Sequence, residues 1–438
     1  MSTNLSRRGF VAAGAGIAAA AVLTGCSTPT ASSSAAATSS DPIVLRYWSW
    51  APNIGKIVDV WNAANPKIQV EVNTSTGSND IVAKLSAAKQ AGTLPDLSNT
   101  SYENLPNLVV NGIAADISDA FASYKDKVTG AAWDLTTFDG KNYAVPQGTG
   151  PMMLFYRTDI FDKLGLKAPT TWDEYAAAAK TIHAADPTKY LSTFPANDAQ
   201  LFGALSQQAG AKWWSHTGAD WKVDISGSAS TKVADYWEGL VKSGNVATFK
   251  TYTPEWQAAL ANGSLASWLS AVWAPPLIAQ NAPKTAGMWA AVRAPQWKSG
   301  EAISGVVGGS GTVVTTGTKH AAEARQFAIW LNNSTEALNA YIANASIWPA
   351  NLEGRKLPAL AAATPASLKE PGGYYALAAA IDKEIVPVTF GPNVAATYSA
   401  FTDAFSAAVT SKGSFKDALG TVQKAVVADM TKLGYKVS

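Results

Sequence analysis

Short apolar runs and helical repeats alternate along the first hundred residues of the chain. Residues 43–48 (IVLRYW), 68–72 (IQVEV) and 95–98 (PDLS) have the apolar content and alternation that are typical of strands. Residues 54–64 and 80–91 instead place apolar side chains three and four positions apart, which predicts amphipathic helices. The resulting β-α-β-α-β order predicts an α/β fold that contains a mostly parallel sheet with right-handed crossovers.

Capping residues mark further helices later in the chain. Thr171 and Glu174 have the spacing of a capping box, which predicts a helix that runs to about His183. A proline directly after Thr253 predicts the start of another helix, and Gly263 predicts its end. Apolar spacing predicts additional helices over residues 231–242, 320–332 and 397–409.

The first 26 residues are typical of a bacterial export signal. Arg7 and Arg8 precede an apolar run over residues 11–23, which is shorter than a membrane span but suits the core of a signal peptide. The run ends in Leu-Thr-Gly-Cys, which resembles the lipobox of bacterial lipoproteins, with Cys26 as the acylated residue. An N-terminal anchor helix with an incidental cysteine is the alternative. The arginine pair also favours twin-arginine export, although Sec signals carry such pairs too.

Residues 27–40 predict a flexible tether, because they contain neither a charge nor a bulky apolar side chain. A lipid on Cys26 would therefore hold a globular body, which starts near Asp41, at the outer face of the cytoplasmic membrane. Cys26 is the only cysteine of the chain, so no intrachain disulfide can form.

The charge balance argues against one class of partner. The chain has 34 Lys and Arg against 32 Asp and Glu, and loss of the predicted signal peptide removes Arg7 and Arg8, which leaves equal numbers. A nucleic-acid binder would show a basic field, so we expect no nucleic-acid partner. The three histidines, His183, His216 and His320, lie far apart and near no cysteine. We therefore expect neither a metal site nor a catalytic triad, and no cofactor.

Tryptophan is the commonest aromatic residue, with 16 Trp against 14 Tyr and 13 Phe. A core is usually built from Leu, Ile, Val and Phe, since the indole N–H of a buried tryptophan needs a hydrogen-bond partner. The surplus therefore predicts a surface or a cleft that presents flat aromatic faces. The run SLASWLSAVWAPP at residues 264–276 is the clearest instance, and we expect its small residues to form a buried strand that ends at the prolines after Trp273.

A series of short motifs follows in a fixed order from about residue 43 to the C-terminus. They are YWSW (47–50), NP (65–66), GTLPD (92–96), GKNYAVP (140–146), LFYRTD (154–159), PTTWDE (169–174), NG (262–263), GGSG (308–311) and FGPN (390–393). In this order they resemble the extracellular solute-binding proteins of carbohydrate ABC importers, the group that includes maltose-binding protein. Arg157 departs from the pattern, since the family usually has asparagine there.

The resemblance implies two α/β lobes with a ligand cleft between them, which is the type II periplasmic-binding fold. Lobe one would comprise residues 41–149 and 309–346, and lobe two would comprise residues 150–308 and 347–438. The lobes would close on a neutral monosaccharide or oligosaccharide by a hinge motion, and the closed form would dock on the permease subunits of the importer. We expect a monomer that binds its solute without catalysis.

The chemistry of a sugar selects candidate ligand-binding residues. The C–H face of a pyranose packs on an aromatic ring, and its hydroxyls bind short polar side chains and backbone amides. In open α/β sheets such ligands lie beyond the carboxyl ends of the strands. Trp50 and Asn53 follow the first strand directly, although Trp50 could instead cap the sheet edge. Ser101 and Tyr102 belong to a polar loop that we expect after the third strand.

The resemblance adds further candidates. Trp273 matches the family position at which an aromatic residue of lobe two stacks on the sugar, with core packing as the alternative. Gln147 and Thr149 lie at the lobe crossing. Gly309 and Ser310 belong to the run GGSG at residues 308–311, whose glycines would let the backbone approach a ligand or act as a hinge. The remaining candidates are the pair Trp213 and Trp214, which form either a cleft wall or a solvent flap, and Trp348, Asn393 and Tyr398.

Three other classes of protein stay open at this point. A secreted glycoside hydrolase would also be rich in tryptophan, but it needs two carboxylates across the scissile bond. The acidic residues here, such as Asp173, Glu174, Asp235 and Glu238, are mostly of the helix-cap or surface type. A structural or adhesive lipoprotein is the second class. A binding protein for a non-sugar solute, such as a glycerol phosphodiester or a peptide, is the third.

Overall fold

The computed structural model describes residues 41–74, 78–218, 220–370 and 372–438, without the side chains of residues 78–80. The predicted signal peptide, Cys26 and the tether therefore lie outside the described residues. Residues 42–438 form one unit by their contacts. Within the described ranges, no helix has the length and apolar character needed to cross a membrane.

Strands and helices alternate along the described part of the chain. The strands are β1 (Ile43–Ser49), β2 (Ile68–Thr74), β3 (Leu97–Ser101), β4 (Thr137–Phe138), β5 (Lys141–Asn142), β6 (Val145–Arg157), β7 (Trp214–Thr217), β8 (Asp220–Val223), β9 (Ser267–Ala271), β10 (Trp289–Arg293), β11 (Val306–Val314) and β12 (Lys436–Val437). The α-helices are α1 (Ile54–Ala64), α2 (Ser78–Ala91), α3 (Leu105–Val110), α4 (Ser118–Phe121), α5 (Gly130–Thr136), α6 (Thr158–Lys163), α7 (Trp172–Ala185), α8 (Ala199–Gln208), α9 (Ser228–Lys242), α10 (Pro254–Asn262), α11 (Ala274–Asn281), α12 (Ala321–Asn333), α13 (Thr335–Ala345), α14 (Pro358–Ala362), α15 (Tyr374–Asp382), α16 (Val394–Ser411) and α17 (Phe415–Lys432).

The main sheet has the strand order β10-β6-β11-β3-β1-β2, and β9 also pairs with β6. The predicted β-α-β-α-β opening is confirmed, because β1 is parallel to both β2 and β3. The prediction of a mostly parallel sheet is wrong, because β11 is antiparallel to β3 and to β6, and β6 is antiparallel to β9 and β10. Periodicity identifies each strand but not its partner, and these partners lie far apart in sequence.

Strand β6 carries the chain from one half of the sheet to the other. Residues 145–151 pair with β11, and residues 152–157 pair with β9 and β10. The two strands cross so closely that a Cβ on Gly150 would lie 2.0 Å from the carbonyl oxygen of Val307. Glycine at this position is therefore required for the crossing.

Buried side chains form separate clusters on the two sides of this crossing. Around β1, the core contains Leu45, Trp61 and Phe327, which come from β1, α1 and α12. On the other side, Phe202 and Phe405 belong to a core that is formed with α8, α16 and α17. The fold is therefore α/β and two-lobed, as predicted.

Local capping signals are confirmed in the structure. The backbone N of Glu174 donates to Oγ1 of Thr171 at 3.2 Å, and the backbone N of Thr171 donates to Oε2 of Glu174 at 3.3 Å, which completes the capping box of α7. Helix α10 begins at Pro254 and ends before Gly263, whose φ is 76°. These signals succeed because each acts within four residues along the chain.

Two local predictions need correction. Ser101 and the two residues before it belong to β3 rather than to a loop, because they pair with β11 and are buried. Pro275 and Pro276 do not merely end a strand: β9 stops at Ala271, and the prolines occupy the first turn of α11. Proline suits this turn because the N–H groups there have no partner within the helix.

Most tryptophans are core residues, which corrects the prediction that the surplus serves a surface or cleft. Nine of the sixteen are buried, and all sixteen lie in the described part of the chain. Several satisfy their indole N–H inside the protein: Trp61 donates to the carbonyl oxygen of Ile68, Trp213 to Oγ of Ser230, and Trp289 to a threonine hydroxyl. Internal acceptors thus make tryptophan tolerable in this core.

Candidate functional site

Strand β11 has a pair of glycines that let side chains approach it from two directions. Gly308 and Gly309 have φ angles of 79° and 104°, in the left-handed region that favours glycine. A Cβ on Gly309 would lie 2.9 Å from the ring of Tyr102, which follows β3. A Cβ on Gly308 would lie 3.1 Å from Nε1 of Trp273, which follows β9. Aromatic rings that follow two different strands, β3 and β9, therefore contact β11.

Trp273, the predicted stacking residue, has a fixed orientation beside β11. It is half-buried, and its Nε1 donates to the carbonyl oxygen of Val307 at 3.0 Å. Its ring packs at 72° against the buried ring of Trp268, with 5.9 Å between the centroids. These contacts orient the indole without a ligand.

Gln147, which is buried, and Ser310, which is half-buried, form a polar network at the crossing of β6 and β11. Oγ of Ser310 donates to Oε1 of Gln147 at 2.7 Å, and Nδ2 of Asn99 donates to the same oxygen at 3.4 Å. Nε2 of Gln147 donates to Oη of Tyr341. The side-chain amide of Gln147 is therefore held in one position by residues of three other elements.

Thr149 belongs to a second network on the same strand. Its Oγ1 donates to Oδ1 of Asp382 at 2.7 Å, and Nη1 of Arg355 donates to the other carboxylate oxygen of Asp382 at 2.7 Å. The Arg355 guanidinium lies 4.7 Å from the ring centroid of Trp348. Trp348 is buried, and its Nε1 has no hydrogen-bond partner within the described part of the chain. Thr149, Asp382 and Arg355 are therefore held together by hydrogen bonds and an ion pair within the protein.

A cavity of about 180 Å³ lies beside Gly308. Its lining includes the predicted residues Trp213, Trp214 and Tyr398, together with Phe390. Trp213 and Trp214 are buried, which does not fit the alternative of a solvent flap, and their role in ligand binding stays a prediction. The cavity thus has aromatic side chains from three parts of the sequence.

A hydrogen bond between Glu103 and Gln200 connects two distant parts of the chain at this cavity. Glu103 follows β3 and is only 2% exposed, and Nε2 of Gln200, which lies in α8, donates to its Oε1. Burial raises the pKa of Glu103 to about 7, and hydrogen bonds from its own backbone and from Ser101 and Gln200 offset only part of this effect. Near neutral pH this carboxyl group can act as an acceptor or, when protonated, as a donor.

Asp198 supplies a second carboxyl group nearby. Its Oδ1 caps α8 by accepting from the backbone N of Leu201 at 2.9 Å, and burial raises the pKa of Asp198 to about 6. Burial also raises the pKa of Tyr398, and the charges of Glu103 and Asp198 raise it further. The three side chains therefore lie within electrostatic reach of one another.

The predicted residues after β1 have contacts with the cluster around α2 and with the end of α13. Trp50 is half-buried and packs against the cluster that contains Leu85 of α2. Asn53 is exposed with a φ of 55°, and its Nδ2 donates to the carbonyl oxygen of Asn344 at 2.9 Å. Their role in ligand binding stays a prediction.

Ser101 and Asn393 are both buried and hydrogen-bonded within the protein. Oγ of Ser101 accepts from Nδ2 of Asn104 at 3.0 Å. Nδ2 of Asn393 donates to Oδ2 of Asp429 at 2.9 Å, which connects the start of α16 to α17. Asn393 thus has a structural contact with α17, and its role in ligand binding also stays a prediction.

The sequence reasoning missed Glu103, Asp198 and Gln200. Glu103 directly follows the predicted residues Ser101 and Tyr102, and this adjacency was a usable signal. Asp198 and Gln200 lie in no motif of the sequence. Gln200 lines the cavity from the first turn of α8, and Asp198 caps that helix, whose start the sequence pattern did not indicate.

The arrangement suits a neutral ligand with many hydroxyl groups. Oriented indole rings offer flat apolar faces, and amide, carboxyl and hydroxyl groups surround them. Among the described residues, no group of three or more His, Cys, Asp and Glu side chains could hold a metal ion.

The sequence matches a known family over most of its length. The profile of the family described as bacterial extracellular solute-binding protein matches residues 47–338. The arabinooligosaccharide-binding protein of Halalkalibacterium halodurans is 25% identical over 310 residues, which cover 67% of this chain and 68% of that protein. The lactose-binding protein of Rhizobium radiobacter is 25% identical over 301 residues, which cover 65% and 69% of the two chains.

Solved structures show the same fold. An ABC transporter associated binding protein from B. animalis subsp. lactis Bl-04, in complex with β-1,6-galactobiose, aligns with a TM-score of 0.84 and 24% identity, over 91% of this chain and 100% of that chain. The galacto-N-biose-/lacto-N-biose I-binding protein from Bifidobacterium longum, in complex with lacto-N-biose, aligns with a TM-score of 0.79 and 25% identity, over 91% and 99% of the two chains.

Proposed function

Because the chain belongs to the bacterial extracellular solute-binding proteins, we propose that it binds a neutral sugar or oligosaccharide and delivers it to the permease of an ABC importer. The observation that carries this proposal is the oriented ring of Trp273 beside the glycines of β11. A pyranose stacked on this ring would bring its hydroxyls close to the polar groups around the cavity. The arabinooligosaccharide- and lactose-binding relatives support a sugar over a charged solute.

We also propose that a lipid on Cys26 anchors the protein outside the cytoplasmic membrane. The family is extracellular, and the residues before Asp41 have the order of a signal, a lipobox and a tether. The tether would give the body a reach of roughly 20 Å from the membrane. Cys26→Ala should abolish labelling by palmitate and release the protein from the membrane fraction, whereas unchanged labelling would contradict the proposal.

A thermal-shift screen of residues 41–438 tests the sugar proposal. Neutral monosaccharides and oligosaccharides form the panel, and amino acids and a phosphate ester are the controls. A ligand at one hundred times its dissociation constant stabilises the folded state by about 2.7 kcal/mol, so a bound sugar should raise the melting temperature by several degrees. A shift with the phosphate ester or an amino acid, and with no sugar, would contradict the proposal.

A secreted glycoside hydrolase is the second candidate, because Glu103 and Asp198 are two carboxyl groups with raised pKa near one cavity. Both carboxyl groups already have partners, since Glu103 accepts from Gln200 and Asp198 caps α8. We therefore propose binding without catalysis. Chromogenic glycosides test this directly, and turnover that disappears in Glu103→Gln would establish the hydrolase instead.

A further inference from the structure

Arg157, which stands where the family usually has asparagine, has a buried guanidinium at the end of β6. The side chain pairs with Asp159: Nε donates to Oδ1 at 2.8 Å, and Nη2 donates to Oδ2 at 2.7 Å. Nη1 is buried and has no hydrogen-bond partner in the part of the chain that the structure describes. A buried donor without an acceptor is costly, so its presence needs an explanation.

The sulfur of Met288 lies at the free end of this guanidinium. Nη2 donates to Sδ of Met288 at 3.7 Å, in addition to its bond with Asp159. The guanidinium is planar, and the pairing with Asp159 uses the N–H of Nη2 that is parallel to the N–H of Nε. The other N–H of Nη2 therefore points to the sulfur, parallel to an N–H of Nη1. A stronger acceptor at this place would accept from both nitrogens.

Met288 is exposed, unlike the other methionines that the structure describes. It is 37% exposed, whereas the side chains of Met152, Met153 and Met430 are each 0% exposed. The backbone around it is fixed, because the backbone N and Oγ1 of Thr158 donate to its carbonyl oxygen at 2.8 and 3.1 Å. An exposed thioether is the kind of side chain that oxidants convert to methionine sulfoxide.

We propose that Met288 is a site of oxidation, at which Arg157 binds the oxygen of the methionine sulfoxide. The oxidant is a peroxide such as hydrogen peroxide. A lone pair of Sδ attacks one peroxide oxygen, so that an S–O bond forms and the O–O bond breaks. The proton of the transferred oxygen moves to the departing hydroxide, which leaves as water. The sulfur loses two electrons, and the peroxide gains them.

The sulfoxide suits these surroundings better than the thioether does. A thioether sulfur is a weak acceptor, whereas a sulfoxide oxygen is strongly polar. Hydrogen bonds from an ionised donor are about twice as strong as neutral ones, so an oxygen that accepts from Nη2 and Nη1 should stabilise the folded state. The inference does not depend on the proposed function, because no sugar takes part.

Treatment of the folded protein with hydrogen peroxide, followed by digestion and mass spectrometry of the peptides, tests the site. Met288 should gain one oxygen, whereas the three buried methionines should not. Treatment in urea is the control, because unfolding exposes these side chains and all four should then react. An unmodified Met288 in the folded protein, or equal oxidation of all four, would overturn the proposal.

Arg157→Asn, which introduces the residue usual in the family, tests the role of the guanidinium. Oxidation should raise the melting temperature of the unchanged protein by about 1–2 °C, since it adds a hydrogen bond to a charged group. The same treatment should give no rise in Arg157→Asn, nor in Met288→Leu, which lacks the sulfur. An equal rise in Arg157→Asn, or a fall in the unchanged protein, would show that Arg157 does not bind the oxygen.

Met288→Gln gives a second test that keeps Arg157 in place. Its amide oxygen stands in for the sulfoxide oxygen and can accept from the guanidinium. Met288→Gln should therefore melt at the same temperature as Met288→Leu or higher. A lower melting temperature would contradict the proposal, whether or not Arg157→Asn folds.

Discussion

At the scale of single residues, Trp273 is the side chain whose removal should affect binding most directly. Its indole is oriented by Val307 and Trp268, so a sugar that stacks on it does not need to order the ring first. Trp273→Ala should weaken sugar binding by about 1–3 kcal/mol, by analogy with stacking of other flat ligands. Calorimetry with a sugar that passes the thermal screen measures this loss.

Trp330 provides the matched control for that substitution. It is a half-buried tryptophan in α12 that packs against Trp61 and Phe327 in the core around β1. Trp330→Ala should lower the melting temperature without changing the affinity for sugar. An affinity that falls equally in both variants would show that Trp273 acts through general stability and not through contact with the ligand.

Glu103 should make the stability of the protein depend on pH. Its pKa is raised to about 7 by burial, whereas in the unfolded chain it has an ordinary value near 4.5. Between these values the folded state holds a proton that the unfolded state has released. The free energy of unfolding should therefore fall as pH rises through this range, by up to about 3 kcal/mol from Glu103. Asp198, with its pKa raised to about 6, acts in the same direction.

Glu103→Gln isolates this contribution, because the amide stays neutral and can still bond to Gln200. Urea unfolding at pH 5, 6 and 7 should show a smaller decrease in the free energy of unfolding for the variant than for the unchanged protein. The difference between the two should grow as pH rises. Parallel decreases would show that Glu103 ionises normally in the folded state.

Single residues also show what the sequence can reveal about the site. Trp273 was found because a motif of neighbouring residues marks it. The sequence did not reveal Glu103, Asp198 and Gln200 as site residues. Glu103 follows β3 and meets Gln200 of α8 only in the folded structure, because the two residues are about one hundred positions apart in sequence. Met288 is ordinary in sequence, and only its exposure and its contact with a buried guanidinium distinguish it.

At the scale of elements, the glycines of β11 determine how closely the aromatic residues approach. Gly309→Ala would place a Cβ 2.9 Å from the ring of Tyr102 and 3.1 Å from the carbonyl oxygen of Gly148, at a φ of 104°. The variant should lose about 1–3 kcal/mol of unfolding free energy, since strain of this kind has that cost. Chemical denaturation measures this loss.

Gly420 is the control for the glycine substitution. It lies inside α17, and a Cβ there would meet nothing within 4 Å. Gly420→Ala should raise the free energy of unfolding by about 0.5–1 kcal/mol, because alanine favours the helix. If both alanine variants changed stability in the same direction, the backbone conformation of β11 would not require glycine at Gly309.

Elements differ in how far the sequence predicts them. Helices α7 and α10 were predicted with nearly correct ends, because caps such as Thr171 and Gly263 act locally. The pairing of β6 with both β9 and β11 was not predicted, because nothing in the periodicity of a strand specifies a distant antiparallel partner. The resemblance supplied the two-lobed arrangement that periodicity could not.

At the scale of the whole molecule, the bond between Gln200 and Glu103 connects α8 to the segment after β3, which the resemblance assigns to different lobes. A ligand that binds between the lobes stabilises the closed arrangement only through its higher affinity for that state. Contacts such as this one reduce the free energy that ligand binding must contribute to closure. They therefore set how much of the unliganded protein is already closed.

Gln200→Ala removes this contact and should shift the unliganded protein towards the open state. One lost hydrogen bond corresponds to about 1 kcal/mol, so the dissociation constant for sugar should rise roughly fivefold. Small-angle X-ray scattering should show a larger radius of gyration for the unliganded variant, and saturating sugar should return it to the value of the liganded unchanged protein. An unchanged radius together with a weaker affinity would mean that Gln200 contacts the sugar itself and does not hold the lobes together.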